Sequence, residues 1–149
     1  MRGSAFSQGP GSRSTPVPSD VVTIRGLTLN GLGGSDGIDF NSGASLYVQE
    51  SVFKNLVNYA ILAGTSTDAN MVVEDSLFTR MGSSAVTLSP SGGTFRGTIE
   101  HSRFAGSDAG VAVYAGNLVV RDSVASNNVE GFGAVNSGSQ LDVENSLAT

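Results

Sequence analysis

The stretch "NMVVEDSLFTR" (residues 70–80) decides how this chain is read. Met71 and Val73 alternate with more polar neighbours, then come Glu74, Asp75, a serine and, two residues on, Phe78. Related stretches occur as "LYVQESVFKN" (46–55), "GTIEHSRFAG" (97–106), "LVVRDSVASN" (118–127) and "LDVENSLAT" (141–149). The aligned serines are Ser51, Ser76, Ser102, Ser123 and Ser146, with Leu27 at the equivalent place in "VVTIRGLTLNG". The drifting spacing of 21 to 26 residues marks a solenoid whose loops vary in length.

Two apolar columns precede the serine. One holds Val22, Leu46, Met71, Gly97, Leu118 and Leu141; the other holds Ile24, Val48, Val73, Ile99, Val120 and Val143. Their period of two is that of a half-buried strand. The residue before the serine is Gly26, Glu50, Asp75, His101, Asp122 or Asn145. Gly, Asn and Asp tolerate left-handed backbone angles, so this column predicts a bend; Glu50 and His101 suit it less well. After the bend come Leu29, Phe53, Phe78, Phe104, Ala125 and Ala148, again apolar. Third strands are expected in "DGIDF" (36–40), "YAILA" (59–63), "SAVTL" (84–88), "AGVAV" (109–113) and "GFGAV" (131–135), with Ile38, Ile61, Val86, Val111 and Phe132 pointing inward. Asn55 and Asn127, two residues past the inward column, suit coil corners.

Three short strands per turn, each pairing with its counterpart in the next coil, make an all-β parallel β-helix. One coil cannot bury its own apolar side, which explains the repetition. Five coils and the start of a sixth give a stack roughly 25 Å tall. The V-x-[DEN]-S-x-F and G-[IV]-x-[LV] patterns resemble the right-handed parallel β-helix repeats of the pectate lyase-like superfamily over residues 21–149. The resemblance implies a right-handed coil and a link to carbohydrate, and an extracellular or envelope setting. It does not choose among lyases, hydrolases, adhesins and tail fibres.

Composition narrows the function. From Asp20 onward six basic residues face thirteen acidic ones, a balance of −7, and Lys54 is the single lysine. Nucleic-acid binding normally needs a basic face, so that partner is not expected. No stretch is apolar and long enough for a membrane span. The chain has no cysteine, hence no disulfide framework. Residues 1–20, rich in Gly, Ser and Pro and opening on Met-Arg-Gly-Ser, read as a disordered, vector-like leader. The domain is expected over 21–149, cut short at its C-terminal end. Its open coil ends expose unpaired strand edges and make self-association a candidate.

Two groups carry the candidate chemistry. On the outward side of the third strands, Asp39 stands among Leu62, Thr87, Ala112 and Gly133. One carboxylate there is too few for a calcium-dependent lyase or a two-carboxylate hydrolase. Along the bend, Asp75, His101 and Asp122 should stack in successive coils beside Glu74, Glu100, Arg121 and Arg103. This ridge could hold a cation or a sugar; its plainer reading is a solvated edge with ion pairs such as Glu100 with Arg121. The serine column reads as inward-facing and structural, since no base is fixed beside any one serine. No cofactor is implied. The sequence thus describes a repeat scaffold or binding module, and the resemblance alone implies one that meets carbohydrate. The alternative is a fragment of a polysaccharide lyase or glycoside hydrolase whose catalytic residues are absent, lie outside this chain or sit in its loops.

Overall fold

The computed structural model describes residues 19–149; the expectation for the leader concerns residues that lie, but for Ser19 and Asp20, outside the described ones. The first coil comprises β1 (Val21–Arg25), β2 (Thr28–Asn30) and β3 (Ile38–Phe40); the second β4 (Ser45–Gln49), β5 (Val52–Leu56) and β6 (Ile61–Ala63). The third coil has β7 (Ala69–Glu74), β8 (Leu77–Met81) and β9 (Ser84–Leu88), and the fourth β10 (Phe95–Glu100), β11 (Arg103–Ala105) and β12 (Ala109–Val113). The fifth has β13 (Asn117–Arg121), β14 (Val124–Ser126) and β15 (Glu130–Ala134), and β16 (Gln140–Glu144) and β17 (Leu147–Ala148) begin a sixth. The strands form three parallel sheets. Sheet A runs β1-β4-β7-β10-β13-β16, sheet B runs β2-β5-β8-β11-β14-β17, and sheet C runs β3-β6-β9-β12-β15.

The registers reproduce the sequence columns. Val22, Leu46, Met71, Gly97, Leu118 and Leu141 pair in order, as do Ile24 through Val143. In the middle coils these positions are buried, as are Phe53, Phe78 and Phe104. The three rings stack with centroids 5.3 and 5.0 Å apart, and Phe132 closes the row edge-on to Phe104. Identical residues in register build this row, and each stacked pair adds about 0.5–1.5 kcal/mol beyond burial. Gly97 leaves a gap in its column that the Leu118 side chain fills. At the ends the columns run out of cover, and Val22, Val143 and Leu147 are exposed.

All six bend residues, Glu50 and His101 included, have left-handed backbone, with φ from 45° to 66°. The coil above and below dictates the bend, so the column accepts residues that would not choose it alone. The serines then lock it. Each interior Oγ donates to the carbonyl two residues earlier and accepts the backbone N–H of the equivalent residue one coil earlier. Ser51, Ser76, Ser102 and Ser123 are buried, as a structural serine column requires.

The third strands differ at their beginnings. Sheet C starts at Ile38 and Ile61 in the first two coils rather than at Asp36 and Tyr59. Before each inward Ile, Val or Phe stands a small residue, Gly37, Ala60, Ala85, Gly110 or Gly131. The space beside Gly37 and Gly110 is taken by Phe53 and Phe104 respectively, so two successive positions face the interior. The chain turns its corner there, and strand alternation resumes only afterwards. Asp36 sits in this corner, where its carboxylate accepts from the Ser35 hydroxyl and the Tyr59 N–H.

Candidate functional site

The bend places Asp75, His101 and Asp122 in successive coils along the edge between sheets A and B. His101 Nε2 lies 4.0 Å from Asp122 Oδ2, and both side chains are well exposed. Their backbones continue the sheet: Asp75 N–H reaches the Glu100 carbonyl, and His101 N–H that of Arg121. Glu74 and Glu100 end β7 and β10 and pair across the strands. Glu74 accepts a 2.7 Å hydrogen bond from the Gln49 amide. Arg121 lies 3.6 Å from Glu100 and 2.8 Å from Glu144, and the Glu144 hydrogen bond and charge hold its guanidinium above its usual pKa. At the N-terminal end Arg25 forks onto Glu50, whose carboxyl it holds below the usual range by hydrogen bond first and charge second. Ion pairs thus join the first coil to the second and the fourth through sixth along this solvated ridge, while Glu74 meets a neutral amide and Asp75 has no ion-pair partner among the described residues. Among the described residues no three of His, Asp and Glu converge as a metal ion requires. Arg103 stands apart from it, outward on sheet B beside Leu77 and Val124.

Asp39 lies on another sheet. It is exposed and in register with Leu62, Thr87, Ala112 and Gly133. At the far end of this column the Glu130 carboxylate folds over Gly133. Four strand spacings separate the two positions, roughly 19 Å. A pair of glycosidase carboxylates works at roughly 5–9.5 Å, so these two cannot act on one bond. Thr87 and Ala112, although outward on the strand, are buried, and Thr87 Oγ1 has no hydrogen-bond partner among the described residues.

A third feature was read only in part from the sequence, through the corner asparagines Asn55 and Asn127. A second left-handed column, Asn55, Arg80, Gly106 and Asn127, turns the corner from sheet B to sheet C, with φ of 58°, 61°, 70° and 55°. Asn55 bonds along the stack to Asn30. In the fifth coil the buttress is Asn128 rather than Asn127: it accepts from Ser107 N–H and donates to the Phe104 carbonyl. Asn127 instead opens, with Thr79, Arg80, Ala105 and Gly106, onto a shallow groove crossing three coils. The signal available was the recurrence of Asn or Gly four residues after the serine; Arg80 interrupts it.

Residues 17–148 match the family described as right handed beta helix region, and the chain belongs to it. The coil is accordingly right-handed, as the repeat pattern implied. No curated protein matches the chain, and no solved structure does.

Proposed function

We propose that the chain is a β-helix scaffold that binds carbohydrate along its outward faces, with the corner groove between sheets B and C as its contact region. The observation that carries this reading is the groove itself. It sets the Thr79 hydroxyl and Arg80 guanidinium of the third coil and the Asn127 amide of the fifth on either side of Ala105 and Gly106 in the fourth. Such hydrogen-bonding groups on a fixed frame suit the hydroxyls of a sugar chain. An extended peptide finds no free edge along the length of sheet B, because β5, β8, β11 and β14 are each paired on both sides. Catalysis has less support: Glu50, Glu100 and Glu144 are held by arginines, and Asp39 and Glu130 stand too far apart.

A thermal-shift panel of neutral and acidic oligosaccharides, each with and without calcium, tests this. A ligand bound by the native state alone raises the melting temperature by mass action. Upward shifts with some oligosaccharides support the scaffold reading. A melting temperature unmoved by every sugar at saturating concentration overturns it.

A further inference from the structure

Charge is sorted by sheet. The strands of sheet B carry Lys54, Arg80 and Arg103 without an acid, and those of sheet C carry Asp39 and Glu130 without a base. Sheet A alone carries both signs, Arg25, Arg96 and Arg121 with Glu74, Glu100, Asp142 and Glu144. Only a face with both signs can match itself. The outward side chains of sheet A fall in three columns, in register from coil to coil. The central column, Tyr47, Val72, Thr98 and Val119, is a half-buried stripe of one aromatic and three β-branched side chains. On one side of it Asn70, Arg96 and Asn117 stand in line, and on the other Glu74 and Glu100.

Both flanks are incompletely neutralised in a single chain. Arg96 is exposed, its in-register neighbours are neutral, and among the described residues it has no carboxylate within ion-pair distance. Glu74 and Glu100 pair directly across β7 and β10, and like charges opposite one another on one face destabilise a sheet. Arg121 comes only within 3.6 Å of Glu100 while it holds Glu144 at 2.8 Å. Glu74 has the neutral Gln49 amide. An unused cation therefore stands on one side of the stripe and a poorly neutralised pair of acids on the other.

We infer that two copies of this chain pair side by side through the outer faces of sheet A, about a two-fold axis that runs along the stack. That rotation reverses the strands and exchanges the two sides of the stripe at constant height. Arg96 of each copy then faces Glu100 of the other, with Glu74 one coil away, and the two stripes pack on each other. Packed sheets lie about 10 Å apart, a gap that an arginine and a glutamate side chain bridge together. A two-fold axis along the strands would instead set the acids of one copy against those of the other, so charge selects the first arrangement. The six strands, each about five residues long, present roughly 16 by 24 Å, or about 800 Å² over two copies. Stable complexes bury about 1,200–2,000 Å², so this dimer is weak and reversible. The contact uses the same patch on both copies and closes at two. The groove between sheets B and C stays open on each.

The test is sedimentation velocity of the intact chain from micromolar to millimolar concentration, on the parent and on Arg96→Glu, Glu100→Arg and Thr98→Lys. The parent is expected to dimerise reversibly, and less readily as salt rises. Arg96→Glu and Glu100→Arg should each weaken the dimer roughly tenfold or more, since each sets like charges together at two symmetric places. An equimolar mixture of these two variants should regain the dimer, because every facing pair is then opposite in sign. Contacts between the ends of the stack would gain nothing from such mixing. Thr98→Lys brings two ammonium groups together at the axis and should abolish the dimer; it decides the question if Glu100→Arg melts below the parent. A parent that stays monomeric throughout overturns the inference. So does an Arg96→Glu or Thr98→Lys variant that associates as the parent does, or a mixture of folded variants no more dimeric than its parts.

Discussion

Replacing Ser102 by alanine separates a structural serine column from a chemical one. Ser102 Oγ donates to the Glu100 carbonyl at 2.9 Å and accepts from Ser76 N–H at 3.3 Å. The Glu100 carbonyl also accepts from Asp75 N–H at 3.2 Å, so it stays paired when the hydroxyl goes. The Ser76 N–H does not: its residue is 3% exposed, and water cannot readily replace the lost acceptor. An orphaned buried donor costs about 1–3 kcal/mol, which is the loss expected for Ser102→Ala. Ser51→Ala removes the same kind of acceptor, from Leu27 N–H, whose residue is only half-buried in the first coil. There solvent can substitute, and the loss should stay below about 1 kcal/mol. Urea unfolding followed by far-ultraviolet circular dichroism reads both as a lowered midpoint at unchanged slope. An unchanged midpoint for Ser102→Ala, or equal losses in both variants, would refute the claim that the hydroxyl ladder ties the coils together.

Thr87→Val removes a buried hydroxyl that has no partner among the described residues, and should raise stability by roughly 1 kcal/mol in the same urea assay. Arg25→Gln tests the terminal ion pair by its pH dependence. Because Arg25 depresses the Glu50 pKa in the folded state, the pair stabilises above the unfolded glutamate pKa, and that stability disappears as pH falls through the folded value. Parent and variant should therefore differ at neutral pH and converge in acid; a gap that widens in acid contradicts the assignment. The apolar residues exposed on the end coils, Val22, Val143 and Leu147, lead us to expect end-to-end association of this chain with rising concentration. Sedimentation velocity checks this, and a monomer at every concentration would count against it.

The fold was legible because a stack of equal coils gives equivalent positions the same environment. Val48, Val73, Ile99 and Val120 meet one another, so each constrains the next, and the column shows in the chain. The bend showed through Asp75, Asp122 and Asn145; Glu50 and His101 looked out of place only because local preference yields to the stack. The inward small residues Gly37, Ala60 and Gly110 escaped because two consecutive inward positions break the alternation expected of a strand. The candidate ridge was legible as a line of residues, and the Glu100–Arg121 pair was anticipated. The Arg25–Glu50 fork was not, since it joins a strand residue to the bend residue one coil on. The groove stayed hidden because Arg80 disguises its own column. The absence of acids from sheet B emerges only once the strands are sorted by sheet.

Incubating the parent chain with whichever hexasaccharide of the panel shifts its melting temperature, and measuring by mass spectrometry both the complex and the recovered sugar, tests the central claim most directly. A binding scaffold forms the complex and returns the hexasaccharide at its original mass. Shortened or unsaturated products would contradict it.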